Sequence, residues 1–247
     1  MDIFLTYSFM FFTGSITGWW LELFFRKFFS KKNPEHKWLN PGFLNGPYLP
    51  LYGFGLCALY TMASFEHIIK IDNELIQKLL LFVLMAAAMT LIEYIAGIIF
   101  IKGMKTKLWD YSDERWNIQG IICPKFSFFW ALLSAVYYFL VHPSVLEGIS
   151  WLFENLAFSF FIGMFFGIFL IDVCVSLNIL VKIRKFATDN DIVVRYERLK
   201  ADIRSKTSQN KQLRNFIIQF RSDRSIYDAL QEHMQNIKSE FNSRRKR

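Results

Sequence analysis

With 247 residues, 53% of them hydrophobic and 18% aromatic, and with 28 phenylalanines, the chain carries far more apolar surface than one soluble core of this length needs. Its formal charge of +8 sits at one end: residues 182–247 hold 17 basic and 8 acidic side chains, a net +9, which leaves −1 for residues 1–181. Three widely spaced cysteines, Cys57, Cys123 and Cys174, exclude a disulfide framework or a thiolate zinc site and read as free thiols acting as small hydrophobes.

The apolar residues gather into five runs, 3–25, 49–69, 79–101, 121–141 and 155–181, each long enough to cross ~30 Å of hydrocarbon at ~1.5 Å per residue. The predicted fold is therefore all-α, a polytopic membrane helix bundle of about five transmembrane helices. The last run exceeds one crossing, so it is tilted or continues beyond the bilayer. The first is not expected to be a cleaved signal: no Lys or Arg precedes it, it contains Trp19, Trp20 and Glu22, and no small-residue cleavage pattern follows.

Basic residues set the orientation. Loop one, after the first run, carries Arg26, Lys27, Lys31, Lys32 and Lys37, and loop three carries Lys102, Lys105, Lys107, Arg115 and Lys125. Only Lys70 and Lys78 follow the second run, and 142–150 has neither Lys nor Arg, so it reads as an outer loop. Loops one and three are thus expected inside, the N-terminus outside and the tail 182–247 in the cytoplasm. The transmembrane domain is expected over 1–181.

The two inner loops resemble one another. A helix bearing a glutamate (Glu22 in GWWLELFF, Glu93 in LIEYIAG) leads to a basic loop, then to a Gly-to-Pro segment opening the next helix: Gly46 to Pro50 in one copy, Gly120 to Pro124 in the other. The spacing from glutamate to that proline is 28 residues in the first copy and 31 in the second, consistent with a parallel repeat of two hairpins. In loop one, Asn40-Pro41-Gly42-Phe43-Leu44-Asn45-Gly46-Pro47-Tyr48-Leu49-Pro50 packs three prolines and two glycines among aromatics. Such a stretch adopts a fixed irregular shape, re-entrant or at the inner interface. Loop three has a comparable knot in Trp109-Asp110-Tyr111-Ser112-Asp113, followed by Trp116-Asn117.

In the tail, Ile192, Tyr196, Leu199 and Ile203 recur at helical spacing, as do Ile226, Leu230, Met234, Ile237 and Phe241. Residues 206–210 interrupt the stripe. Two short amphipathic helices docking on the membrane face or a partner fit this pattern. Their basic charge suits anionic lipid or an acidic partner. No recognition motif accompanies it, so nucleic acid is not expected.

Ionisable groups inside a bilayer are costly and face protein or a water-filled cavity, which singles out Glu22, Glu93 and Asp172. Counted from the flanking cations, they lie roughly 6, 13 and 15 Å from the inner edge on an ideal helical rise. Two readings stay open: a shared polar chamber open to the cytoplasm, or carboxylates each paired locally to hold the bundle. Asp110 and Asn117 of loop three join them as substrate or coupling candidates. Gly14, Gly18 and Glu22 share one helical face, and Gly163 with Gly167 makes a second small-residue pair, so both are packing seams. No phosphate-binding GxxxxGK[ST] loop and no HExxH, CxxC or GxSxG arrangement occurs. His36, His67, His142 and His233 fall in different predicted compartments, so no metal, cofactor or catalytic residue is assigned.

Taken in order, GWWLE, NPGFLNGPYLPLYGFG, the glutamate of IEYIAG, WDYS and NIQGIICPKFSFFW resemble the bacterial ABC-transporter type IV family of CmpB-like permeases, over about residues 14–181. The resemblance highlights Trp19, Glu22, Gly42, Gly46, Pro47, Tyr48, Pro50, Tyr52, Gly53, Glu93, Trp109, Asp110, Tyr111, Asn117, Gly120 and Trp130. Leu49 stands where the family often has Cys, and Pro124 where an apolar residue is usual. The resemblance implies a bacterial plasma-membrane transport protein, a permease-like subunit without its own ATPase, with an ATPase partner gripping the inner loops. Two other classes remain: a non-catalytic scaffold or regulator recruiting partners through its tail, and an intramembrane enzyme acting on lipid-linked substrate at the inner face. Oligomerisation is compatible with each.

Overall fold

The computed structural model describes residues 2–30, 33, 35–67, 69, 71–205, 230–231 and 234–235. Over these the chain is an all-α membrane bundle, helical almost throughout, with one short pair of parallel strands.

Helix α1 spans Ile3–Phe28, about 39 Å at the helical rise. Asp2 caps it by accepting from the amides of Phe4 and Leu5, and Arg26 and Lys27 in its last turn complement the helix dipole. Helix α2 is shorter, Pro50–Ser64, opened by Pro50 after the extended Leu49 and extended by a 3-10 turn at Phe65–His67. Helix α3, Glu74–Ile98, starts at an Asn73 cap and runs through a π-helical turn to Gly103. Helix α4, Pro124–Val136, passes through another π turn at Tyr137–Val141 into α5, His142–Glu154. Helix α6 covers Ser159–Asp189 and α7 covers Tyr196–Ser205. Three continuous stretches among the described residues, Glu74–Gly103, Pro124–Glu154 and Leu156–Asp189, are long and apolar enough to cross a membrane.

One of these differs from the sequence reading, and another, the long last run, takes one of the two forms expected of it. Residues 142–150, taken as an outer loop, are helical. Pro143 follows directly on the π turn, and Ile149 and Leu152 are fully buried three residues apart. The long last run continues as helix to Asp189.

Helices α1 and α2 pack as one hairpin and α3 and α4 as another. The hairpins join through α2 and α3, and α6 lies against α1. The glycine seam of α1 fits this directly: a Cβ added to Gly18 would sit 2.2 Å from the Tyr52 side chain, so α2 crosses where only glycine admits it. No residue stands within 4 Å of a Cβ built on Gly163 or Gly167, so that pair is not a seam within the described chain.

Both long loops fold back between the helices. The Leu49 amide donates to the Ser15 carbonyl (2.9 Å), near the midpoint of α1, so loop one descends well below the end of the helix that precedes it. Asn40, Leu44, Tyr48 and Leu49 are buried along the way. In loop three, Ile121 is 1% exposed and lies over Gly97, within the last turn of α3. The expectation of a fixed irregular shape for loop one is met by this geometry, and loop three is likewise folded back against the helices.

The segment after α6 ties these loops together. Strand β1 (Thr106–Lys107) of loop three pairs in parallel with β2 (Val194–Arg195). Tyr196 and Leu199 of α7 bury against Leu180, Ile183, Phe186 and Val194, so the first tail helix docks on its own bundle. Of the second predicted tail helix, Leu230 and Met234 pack on the same cluster, while Ile226, Ile237 and Phe241 lie outside the described residues.

Candidate functional site

The structure separates the predicted carboxylates into two places. Asp172, on α6, receives loop one. Its oxygens accept from the Asn45 amide (2.9 Å), the Asn45 side-chain amide (2.9 Å), the Gly46 amide (2.8 Å), the Tyr48 hydroxyl (2.6 Å) and Ser176 Oγ (3.0 Å). Pro47 lies between the donors, and the Tyr48 amide closes a tight turn by donating to the Gly46 carbonyl (3.0 Å). The carboxylate is saturated by donors from three loop residues and its own helix, an arrangement that fixes loop one in place.

Glu22 and Glu93 meet elsewhere, between the two hairpins. Glu22 Oε1 accepts from Arg26 Nε (2.8 Å) one turn along α1, and Oε2 from the Tyr52 hydroxyl (3.2 Å). The Tyr52 ring lies 5.2 Å from that of Trp130 on α4. Glu93 on α3 is 2% exposed and accepts at Oε1 from the Tyr111 hydroxyl (3.1 Å), whose ring stacks on Phe126 at 4.2 Å. Its Oε2 has no hydrogen-bond partner among the described residues. Each hairpin thus presents a glutamate to a tyrosine hydroxyl from a segment that follows it, Tyr52 in the first and Tyr111 in the second.

Arg26 extends the site toward the tail. Its Nη1 pairs with Glu197 of α7 (2.8 Å), and Glu197 accepts in turn from Lys200 (3.3 Å). Lys200 is 3% exposed and donates to the carbonyls of Gly42 (2.8 Å) and Asn40 (3.2 Å) in loop one. Burial alone would raise the Glu197 pKa, but Arg26 and Lys200 outweigh it and hold the carboxyl down at about 2. Asn40 also accepts from the Trp19 indole (2.6 Å), so α1, loop one and α7 form one hydrogen-bonded network.

Asp110 and Asn117 lie in the loop-three knot, where they serve the loop itself. Asp110 pairs with Lys107 (3.2 Å) and with Arg195 of β2 (2.9 Å) and accepts from Ser112. Its pKa is lowered: partial burial acts upward, and the Ser112 and Lys107 contacts outweigh it. Asn117 accepts from the Gly120 amide (2.9 Å) and donates to the carbonyls of Ser112 and Glu114. Gly120 takes φ +69°, and a Cβ there would meet Ser112 and Asp110 at 2.5 and 2.8 Å. The Trp109 indole donates to the Ile121 carbonyl (2.8 Å), closing the knot.

The sequence singled out neither Arg26 nor the α7 pair as site residues. The i,i+4 spacing of Glu22 with Arg26 and the i,i+3 spacing of Glu197 with Lys200 were the available signals. The arrangement offers one fully paired glutamate, one buried glutamate with a bare oxygen, and a charged network linking them to the tail. Among the described residues no group of three or more His, Cys, Asp or Glu side chains is placed to hold a metal ion.

No curated protein matches the chain, and no solved structure does. The family described as "Putative ABC-transporter type IV" matches residues 9–177, from within α1 to within α6, and so takes in both hairpins, both folded-back loops and the carboxylates Glu22, Glu93 and Asp172. This membrane protein belongs to that family.

Proposed function

We propose that the protein is a permease-like transport subunit that takes its energy from a separate ATPase. The observation that carries this reading is the single network formed at one end of the bundle by loop one, loop three and the segment after α6, through the β1–β2 pairing, Lys200 and Glu197. A partner gripping any part of that surface would move the elements around Glu22 and Glu93 together. The family match supports the transport class. In this reading α1 and α2 complete five crossings, the N-terminus is outside, and the networked end with its basic tail faces the cytoplasm of a bacterial plasma membrane. Asp172, Asp110 and Asn117 position the loops, while Glu22 and Glu93 face the transport path.

The test is affinity purification of the tagged protein from its native membrane in mild detergent, with bound chains identified by mass spectrometry and the eluate assayed for ATP hydrolysis. A stoichiometric ATPase, released when Lys200 or Arg195 is substituted, is the expected result. Its reproducible absence from folded protein would overturn the reading and favour a scaffold or a lipid-acting enzyme.

A further inference from the structure

Glu93 is enclosed on every side by elements whose charges can be named. Helix α1 brings Glu22 and Arg26, α2 brings Tyr52, loop three brings Tyr111, and α4 contributes the uncharged indole of Trp130. The Arg26 guanidinium is engaged by Glu22 and Glu197, both at 2.8 Å, so the one cation of the group already faces two carboxylates. Glu93 is left with an anionic neighbour, a phenol donor on Oε1, the Trp130 indole close by and no hydrogen bond completed on Oε2, inside rings of Tyr52, Trp130, Tyr111 and Phe126. An ionised carboxylate with an unpartnered oxygen in such surroundings costs several times more than a neutral carboxyl group. A metal ion finds too few oxygens there, since one carboxylate and one phenol fall short of the six or more ligands hard cations take.

We propose that Glu93 is a binding site for one exchangeable proton, taken up at Oε2, beside the Glu22–Arg26 ion pair. The reaction is simple addition: the carboxylate and a proton give the carboxyl group, and Tyr111 keeps its own hydrogen throughout. Access runs past loop three, because Tyr111 is the lid over Oε1 and its loop is tied to β2. The Arg26 pairing of Glu22 separates the two glutamates. This inference goes beyond the transport reading, which does not require a proton.

The experiment is infrared spectroscopy of the full chain in lipid vesicles at neutral pH, following the C=O stretch of protonated carboxyl groups in H2O and in D2O. The wild type is expected to show a deuterium-sensitive band that is absent from Glu93→Gln and retained in Glu22→Gln. Thermal unfolding of Glu93→Gln at or above the wild-type midpoint shows that the variant is folded. If it does not fold, Tyr111→Phe carries the test: loss of the phenol donor should move the band to higher frequency. No band in the wild type, a band that survives Glu93→Gln, or one that Tyr111→Phe leaves unmoved would overturn the proposal. Neither ATPase nor cargo enters the measurement, so failure of the transport reading leaves its outcome intact.

Discussion

Replacing Asp172 with asparagine tests whether this carboxylate is the anchor of loop one. The substitution keeps the shape and removes the charge, and it turns one oxygen into an NH2 group. With the amide oxygen in the Oδ1 position, the bonds from the Asn45 side chain and Ser176 survive. Three donors then face a donor: the Gly46 amide at 2.8 Å, the Tyr48 hydroxyl at 2.6 Å and the nearer approach of the Asn45 amide at 2.9 Å. Bonds to a charged acceptor contribute ~1.5–3 kcal/mol each. Tyr48 can turn its hydrogen away and the loop can relax, so the net loss is on the order of 3 kcal/mol in the free energy that holds loop one down. At ~1.4 kcal/mol per tenfold, that is about a hundredfold increase in opening. Hydrogen exchange of peptides spanning 40–49 reads this directly, because the Asn45 and Gly46 amides are themselves the donors. Wild-type exchange there should be slow and that of Asp172→Asn about a hundredfold faster, with peptides from α3 unchanged. Equal exchange in both proteins would refute the anchoring role.

Gly18→Ala should destabilise the bundle by roughly 1–3 kcal/mol, since its methyl would overlap the Tyr52 side chain close to the backbone; a lower unfolding midpoint in detergent checks this. Lys200→Met leaves the carbonyls of Asn40 and Gly42 without their donor and should loosen α7 by on the order of 1–3 kcal/mol, read as faster tryptic cleavage at Arg198. Glu197 is held below its ordinary value of 4.5, at about 2, so its contribution is complete above about pH 4.5 and is lost as pH falls toward about 2. The stability difference between wild type and Glu197→Gln should therefore shrink across that window on acidification. A constant difference would show that the carboxylate does not titrate against Arg26 and Lys200.

The bundle was legible where helices are long and uniformly apolar. Helices α1, α3 and α6 follow the runs at 3–25, 79–101 and 155–181, because an unbroken apolar stretch leaves a backbone few alternatives to helix. Helix α5 was not, since His142-Pro143 and Glu147 look like a loop until Ile149 and Leu152 are seen to be buried. The Gly14–Gly18 face correctly marked a close crossing, whereas the same pattern at Gly163–Gly167 marks none within the described chain; spacing alone cannot name the partner. Proline and glycine density in loop one announced a fixed shape, but the group that fixes it lies 124 or more residues away in α6. The β1–β2 pairing spans two residues on each side, too short to leave any alternation in the sequence.

The parallel pairing of Thr106–Lys107 with Val194–Arg195 has a consequence for how the two loops can move. Val194 also donates through its amide to the Lys105 carbonyl (3.0 Å), and within six residues the same strand of chain passes to Lys200, which grasps loop one. Lifting this short stretch removes one tether from each loop in a single event, while Asp172 still holds loop one. A pull on the chain at Val194 would accordingly reach both loops at once, like a single cord threaded through two eyelets.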